Sequence, residues 1–397
     1  MAFKYILHPE FAMKSFVFAL LLTMPVHALA QTAAEPSKSN QTTAYVGTYT
    51  QGNSSSRGIY AISLDNSGLQ GEPVLVADLE NASFVALHPN RPLLYAVSEI
   101  GASGSDSIGI VAYSIGVDGK LTRLNERSTR GGAACHVTVD PTGRCVGVAN
   151  YTGGSCVLFP ILEDGSLGKA GSFHQHVGHS GVNAGRQEAP HAHSINFNQD
   201  GTQAFVADLG KDQILLYDVE PATGKMKPSK QAFLQLPPGG GPRHFSFHPN
   251  FELAFSNLEL TSQVALLHYD REQRTLTLGE VLDTVPESAQ RQGNSTAECL
   301  VHPSGKFLYV SNRGHNSIAT FAVDAAAASF RSLGNTPSGG EIPRGFGITD
   351  DGKWLVLGNQ KTGNVVALSI DQKTGVLTPV GRKLPLDAAV NVRFDSK

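Results

Sequence analysis

The chain has 397 residues, of which 31 are basic and 34 acidic, for a formal charge of −3. So even a balance gives no reason to expect nucleic acid or an anionic membrane surface as partner. Its 42 glycines and 21 prolines suit many short strands joined by tight turns, and a ring of small sheets can run to this length as one domain.

Residues 1–30 read as a targeting segment. Lys14 precedes an apolar run from Phe16 to Met24, and Ala28-Leu29-Ala30 forms a small-residue cleavage signature before Gln31. The run is too short to span a bilayer comfortably. Either Met1 or Met13 is compatible with the start, since the residues before Met13 add nothing a signal needs. Cleavage after Ala30 predicts a periplasmic or secreted protein with no membrane attachment once the signal is removed. Residues 31–43 then form a polar, flexible linker, and 44–397 form the folded domain.

From residue 44 onward one unit recurs: a strand, a tight turn, a second strand, a polar corner and a third strand. It is clearest in AECLVHPSGKFLYVSNRGHNSIATFAV (297–323). The turn anchors His88, Asp140, Asn198, His248, His302 and Thr349 follow one another at steps of 52, 58, 50, 54 and 47 residues. Strand-built repeats of this length point to a β-propeller. Residues 44–64 carry only the third and fourth strands of a unit, and 376–395 only the first and second. Joined, they make one further blade. The expectation is an all-β, seven-bladed propeller whose N- and C-terminal strands close one shared blade and leave no free edge.

The recurring turns (His-Pro-Asn, Asp-Pro-Thr-Gly, His-Pro-Ser-Gly, Thr-Asp-Asp-Gly) are turn chemistry, expected between the second and third strands counted from the axis. His88, His248 and His302 are accordingly assigned to structure. The opposite face differs. The strands that enter these turns begin with Ser83-Phe84, Cys135-His136, His193-Ser194, Arg243-His244, Ala297-Glu298 and Arg344-Gly345. The strands that leave the turns end at Glu99, Asn150, Asp208, Asn257, Glu259, Asn312 and Arg313. A scaffold needs only small or apolar residues at inner-strand starts, so these ionisable groups predict a polar pocket for a small anionic or hydroxylated ligand. Two long loops, 178–190 and 286–297, overhang the same face and each carries Arg-Gln.

The four cysteines are expected as free, mostly buried thiols, because strand parity points Cys135 and Cys145 to opposite faces and Cys299 belongs to a distant blade. His174, His176 and His179 match metal spacing only loosely and read as an exposed or lid-lining segment, so no metal is expected. Gly178-His-Ser180-Gly181 lacks the strand-to-helix context of a nucleophilic serine.

The runs HSGVNAGRQEAPHAHSINFNQDG, GGGPRHFSFHPN, SNLELTSQV, AECLVHPSGKFLYVSNRGHNSI and IPRGFGIT together resemble the seven-bladed propeller lactonases. That family takes in propeller-type 6-phosphogluconolactonases and carboxymuconate-lactonising enzymes. The likeness covers about residues 44–395. It implies a catalytic constellation of His193, Arg243, Glu259 and Arg313. His136, His191, His244, Glu298, Asn312 and Arg344 are expected to bind substrate on the same face. Either His193 or Glu259 takes the proton of an attacking water, while Arg243 and Arg313 hold the oxyanion or a substrate anion. Each arginine has a plainer reading as an ion-pair bridge between blades. No cofactor is required. The expected activity is hydrolysis of a sugar lactone, 6-phosphogluconolactone or unphosphorylated gluconolactone, to the aldonic acid. A lactonising cyclase and a non-catalytic binding platform remain as alternatives, because propellers host unrelated functions.

Overall fold

The computed structural model describes residues 41–101, 108–289 and 291–395. The expected signal segment and most of the linker lie outside the described residues.

Alternating apolar strands of about six residues, punctuated by glycine turns, pair into seven antiparallel four-stranded sheets. The seven innermost strands are Val85–Leu87, Ala134–Val139, Ala192–Phe197, Pro242–Phe247, Ser295–Val301, Pro343–Ile348 and Ala389–Phe394. Each packs against the innermost strands on both sides, so the ring closes. In the closing blade, Thr42–Thr48, Gly58–Asp65 and Gly68–Asp78 come from the N-terminal part and Ala389–Phe394 from the C-terminal part. The shared blade is as expected, but it divides three strands to one rather than two to two.

The same shift by one strand runs through every blade. Each His-Pro or Asp-Gly turn joins the innermost strand to its neighbour, not the second strand to the third. The face on which the polar residues gather is unaffected, because the antiparallel alternation of ends is the same under either labelling. The long loops 178–190 and 286–297 thus run from the outer strand of one blade to the inner strand of the next.

The core lies between the sheets. Phe205 of one blade stacks on Phe245 of the next with ring centroids 5.2 Å apart, and Tyr269 meets Phe205 edge-on at 5.3 Å within one buried cluster. Such offset and edge contacts are the favourable arrangements for aromatic pairs. The turn histidines latch successive blades: Nε2 of His88, His248 and His302 lies 3.1, 3.0 and 2.8 Å from the carbonyl oxygens of Gly143, Gly305 and Gly352 in the following turn. All four cysteines are buried and free.

Candidate active site

A β-bulge opens the mouth-facing end of five consecutive inner strands. His193 falls between Ala192, paired with Asp208, and Ser194, paired with Ala207. Arg243 and His244 fall between Pro242, paired with Leu258, and Phe245, paired with Ser256. Cys135, the pair Ala297-Glu298, and Arg344 occupy the same place in their blades. An extra residue left out of the ladder bends the strand and re-aims its side chain. Here the bulges turn ionisable side chains toward one mouth. The freed backbone donors are taken up locally: His244 N–H by Asn257 Oδ1 at 3.0 Å and Glu298 N–H by Ser311 Oγ at 2.9 Å.

Glu259 sits at the centre of the charge cluster and is 2 % exposed. Its Oε2 is 3.0 Å from both Arg243 Nε and Arg313 Nη2, and its Oε1 is 2.6 Å from Arg186 Nη2. Arg243 Nε, Arg313 Nε and Glu259 Oε2 nevertheless lack an aligned hydrogen-bond partner. The two 3.0 Å approaches are therefore charge contacts, and polar atoms remain for a ligand to engage. Burial opposes ionisation of Glu259, but the cations Arg313, Arg243 and Arg186 outweigh it and hold the carboxyl well below its usual range. Burial, then Arg313 and Arg344, lower Arg243 to about 10, so it stays charged at neutral pH.

Three buried imidazoles line the floor. His193 meets Tyr151 edge-on at 5.2 Å and His244 at 5.6 Å, and its Nδ1 lies 3.7 Å from Cys135 Sγ. Burial and then Arg243 push its pKa well below the ordinary value, which keeps the ring neutral. His244 Nδ1 is 2.5 Å from Glu298 Oε1, and its Nε2 is 2.9 Å from Arg243 Nη1. Since a guanidinium can only donate, these partners assign the proton to Nδ1 and a lone pair to Nε2. Arg243 Nη1 also donates to Ala297 O at 2.7 Å. Glu298 Oε2 is 3.3 Å from Arg393 Nη2, and Arg393 lies over the Phe84 ring at 4.6 Å. His136 packs between Phe84, at 4.3 Å, and His244, at 5.4 Å.

His193, Arg243, Glu259 and Arg313 are thus brought together, with His136, His244 and Glu298 beneath them and Arg344 at the rim. His191 is occupied in fastening the overhanging loop: it stacks on Tyr151 at 4.5 Å, with Nδ1 3.1 Å from Tyr151 O and Nε2 3.1 Å from Glu188 Oε1. Asn312, expected at the pocket wall, is fully interior; it accepts from Thr284 Oγ1 at 2.7 Å and donates to Thr284 O at 2.9 Å. His176, expected in an exposed segment, is buried with Nδ1 2.6 Å from Asp208 Oδ2. Sequence reasoning noted the Arg-Gln of the overhanging loop without assigning Arg186 a place in the site. Arg393 gave no signal, because it reaches Glu298 from a strand 95 positions along the chain.

A closed seven-bladed ring, with ionisable side chains gathered at the bulged ends of five inner strands, defines a seven-bladed β-propeller. The chain belongs to the seven-bladed β-propeller lactonase family: the family model "Lactonase, 7-bladed beta-propeller" matches residues 43–394. A 6-phosphogluconolactonase of Bacillus subtilis is 34% identical over 352 residues, covering 88% of this chain and 97% of the relative. The periplasmic gluconolactonase of Pseudomonas aeruginosa superposes with a TM-score of 0.82 at 29% identity, covering 89% of this chain and 99% of the other. A protein of Lactococcus lactis that carries no functional name is 31% identical over 326 residues, covering 81% of this chain and 91% of its own.

Proposed function

We propose that this protein hydrolyses a sugar lactone to the aldonic acid, with His193 as the base. The observation that carries this reading is the division of labour between two buried groups. Glu259 is a fixed anion held by three arginines, too weak a base to take a proton from water. His193 is neutral beside them, and no protein hydrogen bond to its Nε2 occurs among the described residues. A water whose proton passes to His193 forms a bond to the lactone carbonyl carbon, and the carbonyl electron pair moves onto oxygen. Arg243 and Arg313 face that developing charge. Collapse re-forms the carbonyl and breaks the ring C–O bond, and the imidazolium returns its proton to the departing alkoxide. A strained ester needs no stronger activation.

The targeting segment read in residues 1–30 and the likeness to a periplasmic gluconolactonase support export, and with it a substrate met outside the cytoplasm. The test is acid release from glucono-δ-lactone and 6-phosphoglucono-δ-lactone at mildly acidic pH, where spontaneous opening is slow. A rate above buffer that falls about a hundredfold or more in the folded His193→Ala and Arg243→Ala variants, assayed below their melting temperatures, is the expected result. Turnover of a carboxymuconate in place of both lactones contradicts it and points to a lactonising cyclase.

A further inference from the structure

Arginines at the mouth are mostly neutralised by the protein. Arg243, Arg313 and Arg186 share Glu259, and Arg393 pairs with Glu298. Arg344 is different. Among the described residues no carboxylate forms an ion pair with it and no protein group accepts a hydrogen bond from it; its one direct partner is the Tyr49 ring, 5.2 Å from the guanidinium carbon. Stacking uses the flat face of the guanidinium and leaves the in-plane fork of donors unspent.

Arg344 also borders open space. Arg313 and Arg344 together line a depression of about 500 Å³ with Ser295, Asn316 and Gln360. Lys361 also borders it, but is paired with Glu341 at 2.5 Å. Ile342, Gln360 and Lys361 are shared with an adjoining depression of about 670 Å³ that contains Tyr49 and Glu99. Two carboxylates stand nearby: Glu341 lines the same depression but is paired with Lys361, and Glu99, whose charge acts on Arg344 without forming an ion pair, accepts a hydrogen bond from Tyr49 Oη at 2.8 Å and so steadies the ring on which Arg344 rests. A guanidinium serving only the fold would spend its donors on carbonyls, as Arg243 and Arg313 do on Ala297 O and Thr296 O.

We infer that Arg344, set in its bulge over Tyr49 and beside Arg313, is an anion subsite that reads a carboxylate or phosphate substituent on the lactone and so separates anionic from neutral substrates. This rests on the lactonase reading of the same mouth. A phosphorylated lactone and a carboxylated one satisfy the fork equally, and a carboxylated sugar lactone is compatible with a protein that works outside the cytoplasm.

The experiment compares wild type, Arg344→Gln and Arg344→Lys on three lactones: neutral glucono-δ-lactone, its 6-phosphate, and a glucarolactone. Wild type is expected to favour one or both anionic lactones in kcat/KM, and that preference is expected to fall about tenfold to a hundredfold in Arg344→Gln, mainly through KM, with partial rescue in Arg344→Lys. Which anionic lactone loses most identifies the substituent. Equal loss on all three, or no preference in wild type, overturns the subsite. Inorganic phosphate gives an independent readout: it is expected to raise the melting temperature of wild type and not of Arg344→Gln, and equal protection of both also overturns the subsite. Should wild type open no lactone at all, the lactonase reading falls while the phosphate measurement still decides the subsite.

Discussion

His136, His193 and His244 are each 4–5 % exposed, and each has its pKa pushed well below 6.5, chiefly by burial. Neighbouring cations add to the effect, Arg243 foremost for His193 and His244. The consequence for stability follows from linkage. These rings are neutral when folded and take up protons once unfolded below about pH 6.5, so their contribution is complete above that value and is lost as pH falls beneath it. Each ring costs about 1.4 kcal/mol per pH unit in that window. Glu259 acts in the same direction further down, since its depressed carboxyl stabilises the fold above its ordinary value of 4.5 and loses that effect as pH drops through the folded value. A melting temperature that drops steeply between pH 6.5 and roughly pH 5, and less steeply in a His136→Phe variant, is the expected outcome. A flat profile across that interval contradicts buried neutral imidazoles. The identity of these groups was legible from their position at strand starts. The basis for preferring His193 over Glu259 as the proposed base was not, because that turns on the three arginines converging on one carboxylate from separate parts of the chain.

Elements explain why the site forms where it does. A regular inner strand alternates its side chains between the two adjoining interblade layers, and the bulge breaks this alternation at one end only. The sequence carries the bulge residues openly, as His193, Arg243 and Arg344, but not the bulges themselves, since one unpaired position is visible only against a partner strand. The strand labels slipped by one for a related reason: tight polar turns join the strands of every blade at more than one radius, so local chemistry cannot say which of them lies nearest the axis. Turn histidines, in contrast, were read correctly as structural. Their latch has a strict requirement at the glycine it meets. Gly305 has φ +75°, and a Cβ there would come within 2.4 Å of His248 Nε2. Gly305→Ala is expected to destabilise by at least about 1–2 kcal/mol from backbone strain alone, with displacement of His248 added to it. Urea unfolding measures this, and a neutral or stabilising change would contradict the latch.

At the scale of the whole molecule, the proposed active centre needs several blades held side by side around the ring. His193, Arg243 with Glu259, Arg313 and Arg344 come from four successive blades, and no two adjacent blades contain the set. The C-terminal strand that completes the closing blade also delivers Arg393 to Glu298, beneath His244 and Arg243. Closure and site geometry are thereby coupled through one chain of contacts. Seven-fold repetition made the architecture legible from sequence, whereas the three-to-one division of the closing blade follows from which strand is innermost and had to be observed. The most direct test of the account is a crystal structure of the protein with gluconate, the product of the proposed reaction. Its carboxylate is expected between Arg243 and Arg313, with one oxygen within hydrogen-bonding distance of His193 Nε2. Gluconate bound on the turn face, or in the mouth without touching these three residues, contradicts it.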